Sequence, residues 1–138
     1  MSSRGDKTGA TTNFLELSHH LELAGLVWHP EIGDEISERD RCESVSVLVD
    51  THGLTPRELR SHFLWLPTLE QMVVQLEARQ AILEHAGLEI YQSSMAYKAI
   101  IKAPYGEFES RGLTLRLSIG LVLRDLLTCQ VKTDGQVH

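Results

Sequence analysis

The chain opens its patterned region with apolar residues at helical spacing: Phe14, Leu17, Leu21 and Ala24 form one stripe, Asn13 can cap it and Gly25 can stop it. Val45, Val47 and Val49 then alternate with Ser44, Ser46 and Leu48, a strand pattern closed by the turn residues D-T-H-G. Thr55-Pro56-Arg57-Glu58 spells a capping box with proline at the first helical position, so a short helix should carry Leu59, Phe63 and Leu64 and end before Pro67. Proline disfavours helix at Leu66, and Thr68 then caps a new helix with Leu69, Met72, Val73, Leu76 and Leu83 on one stripe, predicting helix over 69–85.

After Gly87 the period changes to two. L-E-I-Y-Q, M-A-Y-K-A-I-I-K-A and G-E-F-E-S-R read as three short strands, with turns at Ser93-Ser94 and Pro104-Tyr105-Gly106, and they should pair as an antiparallel meander. Thr114 caps a final helix over 114–127. Leu115, Ile119, Val122 and Leu126 form one of its stripes, Leu113, Leu117 and Leu121 another, and Thr114, Ser118 and Asp125 mark its wet face. A helix this apolar must be covered on two sides, by the sheet and by either helix 69–85 or a second subunit. Gly120 at its middle permits close backbone approach, at about 1 kcal/mol in helix propensity.

These elements predict one α+β domain over 13–128, with a small antiparallel sheet of three to four strands packed by helices on one or both faces. Residues 1–12 and 129–138 lack periodicity and are expected to be unstructured tails. The two tryptophans sit in similar settings, V-W-H-P-E-I and L-W-L-P-T-L. Both read as a proline corner with a large packed ring: Trp65 folds onto the helix that follows, while Gly33-Asp34 turns the Trp28 copy into a short extended segment.

Composition narrows the function classes. The 138 residues are 42% hydrophobic with net charge −6, and residues 14–50 alone carry −7. No basic face emerges, so nucleic-acid binding is disfavoured. No apolar run nears the roughly 20 residues of a membrane span. Cys42 and Cys129 lie far apart and the N-terminus has no apolar signal core, which points to a reduced, cytoplasmic protein. Arg4-Gly5-Asp6 matches an adhesion tripeptide by spelling alone.

The chemistry-bearing residues do not converge in the sequence. His19, His20, His29 and Glu31 are metal-ligand types, but neighbouring histidines on a helix point about 100° apart and H-E-x-x-H is missing. Cys42, flanked by Arg39 and Arg41, has His52 and His62 as candidate bases and nothing to bring them near. The acidic run Asp34, Glu35, Glu38, Asp40 lacks the ordered EF-hand pattern. Glycine-rich phosphate loops are absent, so no cofactor is expected. Tyr91, Tyr97, Tyr105 and Phe108 lie along the meander with only Lys98 and Lys102 between them.

L-W-L-P-T-L-E-Q-M-V, residues 64–73, resembles a W-[LI]-P-[TR]-x-x-Q-[LM] pattern of small uncharacterised bacterial and prophage-borne proteins. The meander and the apolar final helix are similar to their strand, strand, helix ending, so the resemblance spans residues 54–127. It implies no activity and transfers no catalytic residue. The expected function is therefore a non-catalytic accessory or protein-interaction domain of bacterial or phage origin and a homo-oligomer, with the acidic segment 31–43 as a surface for a protein partner. Two other readings stand beside it. One is a small-molecule or metal-binding enzyme with a pocket near Trp28, His29, Trp65 and Tyr91, where Glu31, Asp34 and Glu35 supply acids. The other is a nucleic-acid accessory protein using Lys98, Lys102, Arg111 and Arg116.

Overall fold

A computed structural model describes residues 13–41 and 44–136, without the side chains of 133–136. Helix α1 (Phe14–Leu23) begins where expected, with the Asn13 side chain accepting from the Glu16 N–H. It ends at Gly25, whose φ of +109° lets the Gly25 and Leu26 amides donate back to Glu22 and Leu21. The chain then forms β1 (Glu35–Glu38), β2 (Val45–Val47), α2 (Pro56–His62), β3 (Phe63–Trp65) and α3 (Leu69–Ala78). The meander β4 (Ile82–Tyr91), β5 (Ser94–Ala103) and β6 (Gly106–Gly112) follows, and α4 (Leu115–Gln136) closes the fold.

The class is α+β, with two antiparallel three-stranded sheets, ordered β2-β1-β3 and β4-β5-β6. The first sheet corrects the sequence reading at one strand: Phe63 and Leu64 leave the helix and pair with Glu38 and Ser37. The short extended segment expected after the first Trp corner is strand β1, paired with β2 and β3. Val45, Val47 and Val49 are 51%, 49% and 76% exposed, whereas Leu48, assigned to the polar phase, is the buried residue.

Three boundaries also move. Helix α3 stops at Ala78, not near 85, and Leu83 belongs to β4. Gln80 takes a left-handed φ of +62°, while the Gln80 and Ala81 amides donate to the Glu77 and Leu76 carbonyls, the same termination that Gly25 provides for α1. The β4–β5 turn is at Gln92-Ser93, both at positive φ, one residue before its expected place. Helix α4 continues to Gln136 through the stretch read as an unstructured tail.

Helix α4 is the centre of the core. One side lies on β5 and β6, and the other takes α1 and α3, so α3 packs on this helix and leaves the second face of the meander uncovered among the described residues. Ile119, Val122, Leu123 and Leu126 are fully buried here with Leu17, Leu21, Met72 and Leu76. Ser118, expected on a wet face, is fully buried and donates its hydroxyl to the Leu115 carbonyl. Leu113 precedes the helix and is 58% exposed. Gly120 does allow close approach: a Cβ there would lie 2.5 Å from Leu17 Cδ2 and 3.3 Å from Phe14 Cε1. A second cluster, Trp28, Ile36, Leu48 and Leu59, sits under the small sheet, and Trp65 packs against both clusters. Arg116 ties the α4 start to the second proline corner, donating to the Leu66 and Pro67 carbonyls while lying 4.3 Å from the centre of the Phe14 ring.

Candidate functional site

The residues singled out in the sequence fall into three places. At the first tryptophan corner, Asp34 is buried and spends both oxygens internally. Its Oδ2 accepts from Trp28 Nε1 at 2.8 Å and from the Glu31 amide at 2.9 Å, and its Oδ1 accepts from Gln71 Nε2 at 2.9 Å. Gln71 holds its own orientation because its Oε1 accepts the Thr68 amide in the α3 capping box. A buried carboxylate held by three donors is a structural hub, so Asp34 is removed from the acidic surface proposed for residues 31–43. Glu35 pairs with Arg116 at 3.2 Å. Glu31, Glu38 and Asp40 stay exposed, and Cys42 and Glu43 lie outside the described residues.

Beside this hub is a cleft of about 210 Å³ lined by Ser18, Trp28, Arg60, Phe63 and Trp65. Its rim is a chain of charge-assisted contacts. Arg39 grips Glu22 with two bonds, at 3.1 and 2.6 Å, and donates to the Arg60 carbonyl, while Arg60 donates to the Trp28 carbonyl at 3.1 Å. Within its walls the buried Ser18 Oγ and Trp65 Nε1 have no hydrogen-bond partner. Both tryptophans thus border one cavity. His29 is exposed outside it, and Tyr91 is 69% exposed at the far end of the other sheet, so the four-residue pocket is not assembled.

The histidines do not gather: among the described residues no three His, Cys, Asp or Glu side chains form a metal-binding group. His19 lies 3.9 Å from Glu22, and His52 3.7 Å from Asp50 on an exposed turn. The four basic residues singled out in the sequence, Lys98, Lys102, Arg111 and Arg116, are each matched by acids. On the outer face of the meander Lys98 reaches Glu89 at 3.3 Å and Glu109 at 3.5 Å, Arg111 reaches the same two at 3.0 and 3.5 Å, and Lys102 reaches Glu84 at 3.3 Å. The hydrogen bond from Arg111, joined by Lys98, holds the Glu89 carboxyl below its ordinary range. Arg116 is on the other side of the fold, so the four do not make a basic face.

The opposite face of that hairpin was not singled out in the sequence. Strand register sets Ala86, Leu88 and Ile90 of β4 beside Ala99, Tyr97 and Met95 of β5, on the side that α4 covers further along. Yet no residue of β4 is buried: Leu88 is 51% exposed, Ile90 67% and Met95 62%. Strand β6 ends at Gly112 opposite Tyr97, so beyond that point β4 and β5 project as a two-stranded arm. The three residues together expose roughly 350 Å², backbone included, near the low end of the roughly 300–600 Å² of the largest patch on a typical monomer, which is often functional. The alternation in L-E-I-Y was a usable signal for a one-sided strand. That α4 starts too late to cover it was not.

No helix among the described residues is long and apolar enough to cross a membrane. No protein-family model matches the chain, and neither the curated proteins nor the solved structures give a match.

Proposed function

We propose that this chain is a protein-interaction module that works by self-association and not by chemistry of its own. The observation that supports it most is the arm: one face is neutralised by its own ion pairs, while the other offers Leu88, Ile90 and Met95 to water. A two-stranded ribbon is marginal alone in water and gains stability when its apolar side is packed. A native mass spectrum before and after chelator tests the reading. Dimers or higher forms without added mass support it; a monomer carrying a stoichiometric ligand or metal overturns it.

One observation favours a second reading, a small-ligand site at the Trp28–Trp65 cleft. Both tryptophan rings border the cleft of about 210 Å³, and two buried donors in its walls, Ser18 Oγ and Trp65 Nε1, have no partner. The two rings are the only tryptophans in the chain, so intrinsic fluorescence reports occupancy. Saturable quenching by small aromatic or aliphatic carboxylates supports this reading, and an unchanged spectrum at millimolar ligand sinks it.

A further inference from the structure

We propose that the Trp28–Trp65 cleft takes a single-ring aromatic monocarboxylate, with Arg60 as the group that recognises its charge. This rests on the small-ligand reading above and names the class of the ligand. Charge is the first observation. Two charged residues line the cleft, Glu22 and Arg60. Glu22 is already engaged, its two oxygens accepting separately from Arg39 Nη1 and Nη2 at 3.1 and 2.6 Å. Arg60 is not neutralised: among the described residues no acid lies within ion-pair reach of it. Arg39 and Arg60 together face one carboxylate, so this rim keeps one positive charge.

The second observation is how Arg60 is held. It is half-buried, and its Nη1 donates to the carbonyl of Trp28, itself a wall of the cleft. Its backbone carbonyl accepts from Arg39 Nε and Nη2 at 3.1 and 2.8 Å. The Nε–Nη2 edge of Arg60, the side that grips a carboxylate with two parallel bonds, has no partner among the described residues. A guanidinium anchored in this way gives up little freedom on taking an anion. One such fork matches one carboxylate, whereas the further oxygens of a phosphate would be left against apolar walls. The third observation is shape. Trp28, Phe63 and Trp65 give the cleft three aromatic walls, and aromatic pairs prefer offset-stacked or edge-to-face contact. A dry cavity of about 150 Å³ holds benzene. The cleft, at about 210 Å³, has room for such a ring and its carboxylate.

Benzoate, benzamide and benzamidine have nearly one shape and differ in charge, so they separate the ring from the anion. Each is titrated into the whole chain, read by tryptophan fluorescence and by the NMR shifts of the two indole N–H groups. Benzoate should saturate with a Kd on the order of 1 mM or below, benzamide should bind about tenfold more weakly, and benzamidine more weakly again. Added salt should weaken benzoate and leave benzamide unchanged. Arg60→Gln should bring benzoate to the affinity of benzamide without moving benzamide itself. Should that variant not fold, the charge series and its salt dependence in the wild type decide alone. Benzamide or benzamidine binding as well as benzoate, or benzoate indifferent to Arg60→Gln, overturns the anion assignment and leaves the cleft standing as a ligand site. All three without effect at several millimolar overturn the ligand site and this assignment with it.

Discussion

Asp34→Ala is the perturbation whose cost can be worked out bond by bond. It removes an acceptor serving Trp28 Nε1, the Glu31 amide and Gln71 Nε2. Hydrogen bonds to a charged acceptor contribute about 1.5–3 kcal/mol each, and an orphaned buried donor costs about 1–3 kcal/mol. The three share one carboxylate and do not add. Removal also relieves the burial of a charge, so the expected net loss is about 3 kcal/mol. For a chain of 138 residues that lowers the melting temperature by roughly 10 °C. Asp34→Asn keeps the shape and one acceptor oxygen, but its amide nitrogen must face a donor. Gln71 cannot turn its own oxygen toward it without releasing the Thr68 amide, so a loss of about 1–2 kcal/mol is expected. Thermal and urea unfolding followed by tryptophan fluorescence measure both variants. A double-mutant cycle with Gln71→Ala should show a coupling of about 1 kcal/mol. An Ala variant losing under about 1 kcal/mol, or an Asn variant indistinguishable from wild type, would refute the hub.

Gly120→Ala gains about 1 kcal/mol of helix propensity but sets a methyl 2.5 Å from Leu17 Cδ2 in a full core, so a net loss of about 1–2 kcal/mol should appear in urea unfolding. Combined with Leu17→Val it should recover part of that loss. Gln80→Gly relieves a left-handed residue at φ +62° and should raise the melting temperature by a few degrees, about 1 kcal/mol; a decrease would contradict the α3 termination. Arg111→Gln removes the main cause holding the Glu89 carboxyl low, so an NMR titration should move it up toward the ordinary value near 4.3. The sign follows from that depression: in the wild type the Glu89 contribution is present above the unfolded value and is lost as pH falls through the folded one, so the variant's arm should be less sensitive to acid below about pH 4.

What could be read from the sequence was local. Asn13, Thr55, Thr68 and Thr114 announced their helices because each cap bonds an amide two or three residues on, and all four bond as expected. Gly25 announced a stop because glycine is the usual left-handed residue. Gln80 makes the same termination at an energetic cost and gives no such sign, and Leu83, in phase with Leu69 and Leu76, disguised a strand residue as helix. Strands β1 and β3, at four and three residues, are too short to show a period, and only long-range pairing defines them. Asp34 looked like a surface acid in an acidic run because nothing local says that Gln71 comes 37 residues later to meet it. The cleft between the two tryptophans was partly legible in their matched settings, whereas its orphaned donors belong to packing alone. The arm's exposure depends on where α4 begins relative to β4, a relation of whole elements and not of neighbouring residues.

The most direct test of the central claim is the light-scattering mass of the wild-type chain over a concentration series from about 1 to 100 μM, which detects a Kd in the micromolar range. Self-association predicts a mass that climbs from 15.5 kDa toward twice that value. A mass fixed at 15.5 kDa throughout would contradict it.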